Sequence, residues 1–321
     1  MLAPPATISP RNACASLRGR DLLSIRDLMR GELAGLIALA RDVKREPSRY
    51  ASAMAGKTLA TIFEKPSLRT RVSFHVAAHQ LGGHAIDLAP QEIGLGGREA
   101  IGDVARTLDR MVSAIMIRTF AHELVEQLAE AASIPVINGL TDVSHPCQAL
   151  ADYLTMLEVK GRIEGLRLAF VGDGNNVANS LIFGAALLGV RMTMAAPPGY
   201  EPKPGILAWA QRHERVTGTA CRLVSSPEEA VSEADVVYTD TWISMGQEEE
   251  AEKRRRAFAG FQVTDVLLDR AAPDVVFMHC LPAHRGEEVA ADVIDSARSV
   301  VFTQAENRLH TEKALLCALM G

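Results

Sequence analysis

The chain has 321 residues, of which 48% are hydrophobic and 23% charged, with a net charge of −5. That length and apolar content allow two ordinary domains with a large core and exclude a globally disordered chain. The acid excess, without a long basic run, disfavours nucleic acid as the main partner. No apolar run reaches the roughly eighteen residues of a membrane-spanning helix.

The first twenty residues carry three arginines and no acid. Pro4, Pro5 and Pro10 oppose the long amphipathic helix of a transit peptide, so residues 1–20 are expected to form a disordered extension. Ser24-Ile25-Arg26-Asp27 resembles a capping-box helix start, with Asp in the role of Glu. Ile25, Leu28, Met29, Leu33, Leu36, Ile37 and Ala40 then share one apolar face, ending before Pro47.

Thr58–Phe63 is short, apolar and β-branched, as a buried strand should be. After it comes Glu64-Lys65-Pro66-Ser67-Leu68-Arg69-Thr70-Arg71, and from Val72 an apolar pattern at helical spacing runs to Gly82-Gly83. Ser67 therefore starts a helix. Outward N–H groups and the helix dipole, beside two hydroxyls and two arginines, suit a small dianion such as phosphate.

Strands and helices then alternate. The pattern predicts strands at 85–88, 114–118 and 135–137, helices at 101–111 and 123–132, and a glycine-rich loop from Gln91 to Arg98, mobile or shared with a partner. A helix from Ser144-His145-Pro146 through Leu157 is expected to cross between domains. A second series follows, with strands at 166–171, 190–194, 221–224, 236–239, 275–278 and 300–302, and a last helix over 304–319. This alternation predicts an α/β fold: two doubly wound parallel-sheet domains with an interdomain cleft. The expected boundaries are 21–147 and 148–303, with residues 304–321 forming a C-terminal helix that packs back on the first domain.

Polar residues gather just past the predicted strand ends: Ser67, Arg69 and Thr70; Arg118; His145 and Gln148; Asn175 and Asn176; Asp240; His279 and Cys280; Arg308. Ligands of open parallel sheets bind outside the carboxyl ends of the strands, so these residues are the candidate site. Each also has an ordinary role open to it, as cap, turn, surface charge or small buried thiol.

Gly172-Asp173-Gly174-Asn175-Asn176-Val177 has the strand context and first two glycines of a dinucleotide loop, but Val177 stands where the third glycine belongs. No Walker-type lysine loop is present. His279, Cys280 and His284 form no closed metal-ligand set. The five scattered cysteines, Cys14, Cys147, Cys221, Cys280 and Cys317, suggest neither zinc nor a disulfide framework and fit a reducing cytoplasm.

From about Leu22 to the C-terminus, the chain resembles the ornithine carbamoyltransferases of the aspartate/ornithine transcarbamoylase superfamily. The general signature is Ser67-Leu68-Arg69-Thr70-Arg71 with Arg118 and His145-Pro146-Cys147-Gln148. Asp240-Thr241-Trp242-Ile243-Ser244-Met245-Gly246 and His279-Cys280-Leu281-Pro282 are the ornithine-specific stretches, and Glu306-Asn307-Arg308 matches the last motif.

The resemblance implies transfer of a carbamoyl group from carbamoyl phosphate to the δ-amine of L-ornithine, giving L-citrulline and phosphate. It implies a homotrimer or a multiple of trimers, and no metal or cofactor. Ser67, Leu68, Arg69 and Thr70 would bind phosphate, with Arg308, Cys280 and Leu281 bordering carbamoyl phosphate. Arg118, His145 and Gln148 would hold the carbamoyl end. Asn176, Asp240, Ser244 and Met245 would receive ornithine, and Cys280, Asp240, His145 and Arg118 would serve catalysis. The family usually has Thr where this chain has Leu68. The Ser-Leu-Arg-Thr-Arg form also resembles N-acetylornithine carbamoyltransferases, which leaves that acceptor, or a catalytically silent homologue, as alternatives.

Overall fold

A computed structural model describes residues 14–218 and 221–321. Among the described residues, nine strands, all paired in parallel, form two sheets. In the first, β1 (Thr58–Phe63), β2 (His84–Leu88), β3 (Ala114–Arg118) and β4 (Val136–Leu140) lie in the order β2-β1-β3-β4. In the second, β5 (Arg167–Val171), β6 (Arg191–Ala195), β7 (Cys221–Val224), β8 (Val236–Thr239) and β9 (Val276–His279) lie in the order β7-β6-β5-β8-β9. Each order reverses once, between β1 and β3 and between β5 and β8, which makes both sheets doubly wound.

The contacts divide the chain into two compact units. One takes in the described residues up to Leu23, then Asp27–Leu140 and Arg308–Gly321. The other is Ser24–Arg26 with Thr141–Asn307. The division at Leu140–Thr141 falls a few residues before the expected 147–148 boundary. Ser144 Oγ bonds Ser24 and Ser180, and the His145 N–H donates to Ser180 Oγ at 2.8 Å, so this helix start is stitched into the second unit. The Pro146–Lys160 helix accordingly lies wholly there.

The first core gathers Ile62, Val104, Leu108, Ile115, Ile117, Val125, Leu128 and Val136. The second gathers Val171, Val237, Trp242, Phe258, Val263, Phe277 and Val301. The strands read as near-continuous apolar runs because helices cover both faces of a parallel sheet.

Several elements differ from the sequence expectation. Of the expected disordered extension, residues 1–13 lie outside the described residues, but residues 14–20 are packed. Cys14 and Leu17 are buried, and Arg20 and Ser16 both bond Glu32. Ile25–Asp27 is only a 3₁₀ turn. The helix proper runs Arg30–Arg45, where the Glu32 carboxylate accepts the Met29 N–H at 2.9 Å. The Gln91–Arg98 stretch is not all loop: Pro90–Ile93 is a helical turn closed by Gly94, and Leu95 bridges Glu99.

Val300–Phe302 is not a strand. Ser299 makes one bridge to Phe277, then Val301 opens a helix that continues to Met320. The β-branched pair Val300-Val301 suggested a strand, but local propensity yielded to the tertiary setting. Among the described residues, no helix is long and apolar enough to cross a membrane.

Candidate active site

In the first unit, two strand ends flank the reversal of sheet order. The register sets Phe63 beside Arg118, so the turn after β1 and the last residue of β3 start as neighbours. The chain after β1 is held there, because the Glu64 N–H donates to the Arg118 carbonyl at 2.9 Å. Ser67 is extended (φ −159°, ψ 117°) and caps the Leu68–Gln80 helix, its hydroxyl accepting the Thr70 N–H at 3.2 Å. The first-turn N–H groups point outward along the helix axis, with its partial positive charge.

Leu68 is 74% exposed, Arg69 half-buried and Thr70 fully buried. Arg118 is buried and Arg308 more deeply so, at 2% exposed. Arg308 Nη2 donates to Thr70 Oγ1 at 3.1 Å and to Glu312 Oε1 at 2.6 Å. Burial pushes the Glu312 carboxyl up to about 7 despite the neighbouring guanidinium. Ser67, Arg69, Thr70, Arg118 and Arg308 therefore converge in one unit, with cationic groups around a helix N-terminus. That arrangement can neutralise a dianion.

In the second unit, the order reverses between β5 and β8. Thr239 pairs with Val171 on one side and His279 on the other, so the residues just beyond these ends emerge side by side. Cys280 Sγ donates to Asp240 Oδ1 at 3.0 Å, and Asn175 Nδ2 donates to Asp240 Oδ2 at 2.7 Å. Asn175 also caps the Asn176–Leu188 helix by accepting from Val177 and Ala178. Asn176 donates to the Thr141 carbonyl at 2.5 Å, and its own carbonyl accepts from Ser180, the residue that holds the His145 backbone. The Gln148 N–H donates to the His145 carbonyl at 3.2 Å, so Asn176, His145, Gln148, Asp240 and Cys280 are tied through a few bonds and the Asn175–Asn176 link.

Ser244 and Met245 lie on the turn after β8, closed by the Ser244 N–H on Gln247 Oε1 at 3.1 Å. Met245 is 42% exposed. The charged run after it is solvated except at Arg254. That side chain is buried, bonding Asp173 Oδ2 at 3.0 Å and the Trp242 carbonyl at 2.9 Å. Burial raises the Asp173 carboxyl to about 6.

Asp240, His279 and Cys280 bring potential ligand atoms within 4.8 Å of one another. Both His279 nitrogens are already engaged. Nδ1 accepts the Leu281 N–H at 2.8 Å, which places the proton on Nε2, 3.1 Å from Glu288 Oε1. His279 therefore shapes the following turn instead of offering a ligand. Leu281 sits there at φ +56°, a left-handed conformation that costs a non-glycine residue about 1–2 kcal/mol.

Asp152, Tyr238 and Gln304 escaped the sequence reading. All three are buried and bond one another, and Asp152 also accepts from Gln148. The i,i+4 spacing of Gln148 and Asp152 on an apolar helix was the available signal.

Residues 20–158 match the family model described as the carbamoyl-P binding domain of aspartate/ornithine carbamoyltransferase, and residues 164–319 match its Asp/Orn binding domain. The chain is 53% identical over 311 residues to the ornithine carbamoyltransferase of Thermococcus kodakarensis, covering 95% of this chain and 98% of that one. It is 52% identical to the anabolic ornithine carbamoyltransferase of Pyrococcus furiosus, covering 95% and 98%. A solved structure of ornithine carbamoyltransferase from Pyrococcus furiosus superposes with a TM-score of 0.92 at 52% identity, covering 95% of this chain and 98% of that one. With both family models matched along nearly its whole length, this chain belongs to the aspartate/ornithine carbamoyltransferase family.

Proposed function

We propose that this chain is an enzyme that transfers the carbamoyl group of carbamoyl phosphate to the δ-amine of L-ornithine, giving L-citrulline and phosphate in arginine biosynthesis. The observation that carries the reading is the Asp240–Cys280 pair at adjacent strand ends, 3.0 Å apart and backed by Asn175. A carboxylate and a thiol side by side suit a substrate with two amino groups.

Ser67, Leu68, Arg69 and Thr70 take the phosphate end, Leu68 through its backbone N–H, with Arg308 beside them. Arg118, His145 and Gln148 hold the carbamoyl group, and Cys280 and Leu281 border it. Asn176, Asp240, Ser244 and Met245 receive ornithine.

A lysine-like amine has a pKa near 10.4, so the reactive neutral form must be bound or created in the site. That amine attacks the carbamoyl carbon: a C–N bond forms, the C–O bond to phosphate breaks, and the amine loses a proton. Charge growing on the carbonyl oxygen is stabilised by Arg118, His145 and Thr70. The leaving phosphate is stabilised by Arg69, Arg308 and the helix N-terminus. Carbamoyl phosphate is an activated mixed anhydride, so the scheme calls on no further cofactor, and much of the acceleration comes from positioning two substrates. The active form is a homotrimer or a multiple of trimers, working in the cytoplasm.

The test is citrulline-type product formation with ornithine, N-acetylornithine, putrescine and aspartate as competing acceptors. Ornithine should give the highest kcat/KM. A better result with another amine would reject the ornithine assignment, and carbamoyl phosphate binding without turnover would favour a silent homologue.

A further inference from the structure

The buried polar group beneath Gln148 has a direction that can be read from one backbone amide. The His279 N–H donates to Gln304 Oε1 at 3.0 Å. A backbone N–H can only donate, so this bond fixes which end of the Gln304 amide is oxygen. Gln304 Nε2 must then face the other way, where it lies 2.7 Å from Asp152 Oδ1 and 3.0 Å from Tyr238 Oη. With that oxygen accepting from Gln304, the Tyr238 hydroxyl is left to donate to Asp152 Oδ2 at 3.2 Å.

Both Asp152 oxygens are therefore acceptors, and Gln148 meets Oδ1 through Nε2 at 2.8 Å. The reverse orientation of the Gln148 amide would press a carbonyl oxygen against the Asp152 oxygen in a site with no exposed surface: Asp152, Tyr238 and Gln304 are all 0% exposed and Gln148 only 2%. Burying two opposed acceptors costs the hydrogen bond and the desolvation of both groups.

We propose that Asp152, oriented by Gln304 and Tyr238, is a positioning residue that locks the Gln148 amide with its carbonyl oxygen toward the acyl donor, so that the enzyme reads the donor's –NH₂ group. The inference rests on the reading above that Gln148 meets the carbamoyl group. An acceptor at that point bonds an amide N–H₂ and leaves a methyl group in the same place unsatisfied, which sets carbamoyl against acetyl donors. Three elements supply the lock: the Pro146–Lys160 helix, β8 and the last helix, with its polarity set by the backbone of β9.

The experiment compares two stable phosphonates by calorimetry on the full-length protein. Phosphonoacetamide carries the amide –NH₂; acetonylphosphonate has methyl in its place. Wild type should prefer the amide. Asp152→Ala should reduce that preference by about tenfold, the worth of one hydrogen bond, because the Gln148 amide can then turn over. Asp152→Asn should retain the preference, since its side-chain oxygen can still accept from Gln148 and Gln304. Gln148→Leu should abolish it.

A merely structural role for Asp152 would weaken both ligands equally, and equal weakening would overturn the proposal. So would an unchanged preference in Asp152→Ala while Gln148→Leu loses it. An unchanged preference in Gln148→Leu would instead reject the underlying placement of Gln148. If Asp152→Ala does not fold, Gln304→Met serves in its place: it releases one anchor of Asp152 Oδ1 and should lower the preference in the same direction, and an unaltered preference there counts against the lock.

Discussion

Leu68 and Arg69 are neighbours in sequence with opposite meanings. Leu68 is 74% exposed, so its side chain has no core to lose. Leu68→Thr should leave Tm within about 2 °C and the KM for carbamoyl phosphate within about twofold of wild type, the usual scale for surface changes. A large loss in steady-state kinetics would show that the leucine packs against something when substrate is bound. Arg69 is proposed to bond a dianion directly. Arg69→Ala should raise the KM for carbamoyl phosphate about 10- to 100-fold, the range for a charge-assisted hydrogen bond. Circular dichroism should remain unchanged, and an unaltered KM would remove Arg69 from the phosphate group.

At the scale of elements, the Pro146–Lys160 and Asn176–Leu188 helices meet at Gly184. A Cβ there would lie 2.1 Å from Tyr153 Cε2. The Tyr153 ring is fully buried, and its hydroxyl donates to the Leu181 carbonyl at 2.6 Å, so it cannot swing aside. Gly184→Ala should cost about 1–3 kcal/mol through overpacking. Calorimetry should show a Tm lowered by several degrees, at roughly 2–4 °C per kcal/mol.

The last helix carries a different prediction. Glu312 titrates near 7 in the folded protein instead of its ordinary 4.5, because burial disfavours the charged form. The folded state therefore holds this proton more tightly than the unfolded state. Its contribution to stability is full below pH 4.5 and is lost as pH rises through 7. Glu312→Gln removes the titration, so the Tm of the variant should gain on wild type as pH rises across that window. Parallel Tm profiles would show that Glu312 does not titrate there.

For the whole molecule, the proposed trimer predicts a light-scattering mass of three times the 34.6 kDa chain, or a multiple of it. A monomer at assay concentration with full activity would rule that assembly out. The net charge of −5 spreads over a chain with mixed signs, so moderate salt should not change the mass if apolar contacts hold the assembly.

The sequence alone determined the parallel α/β class and several strands to the residue, including Thr58–Phe63, Ala114–Arg118 and Val236–Thr239. Fully buried parallel strands are continuous apolar runs, and such runs are local. It also marked the polar residues at the strand ends, because a polar residue directly after an apolar strand stands out without any fold. It could not reveal the ties of residues 14–20 to Glu32, since the partner lies elsewhere in the chain. Val300-Val301 read as a strand because their propensity is β, whereas the structure opens a helix at Val301. Arg254 looked like one charge in a solvated run until Asp173, the Trp242 carbonyl and the Tyr200 ring closed around it. Asp152, Tyr238 and Gln304 are ordinary residues in sequence. Their meaning is the direction of their hydrogen bonds, and that exists only once a helix, two strands and the last helix bring them within 3.2 Å.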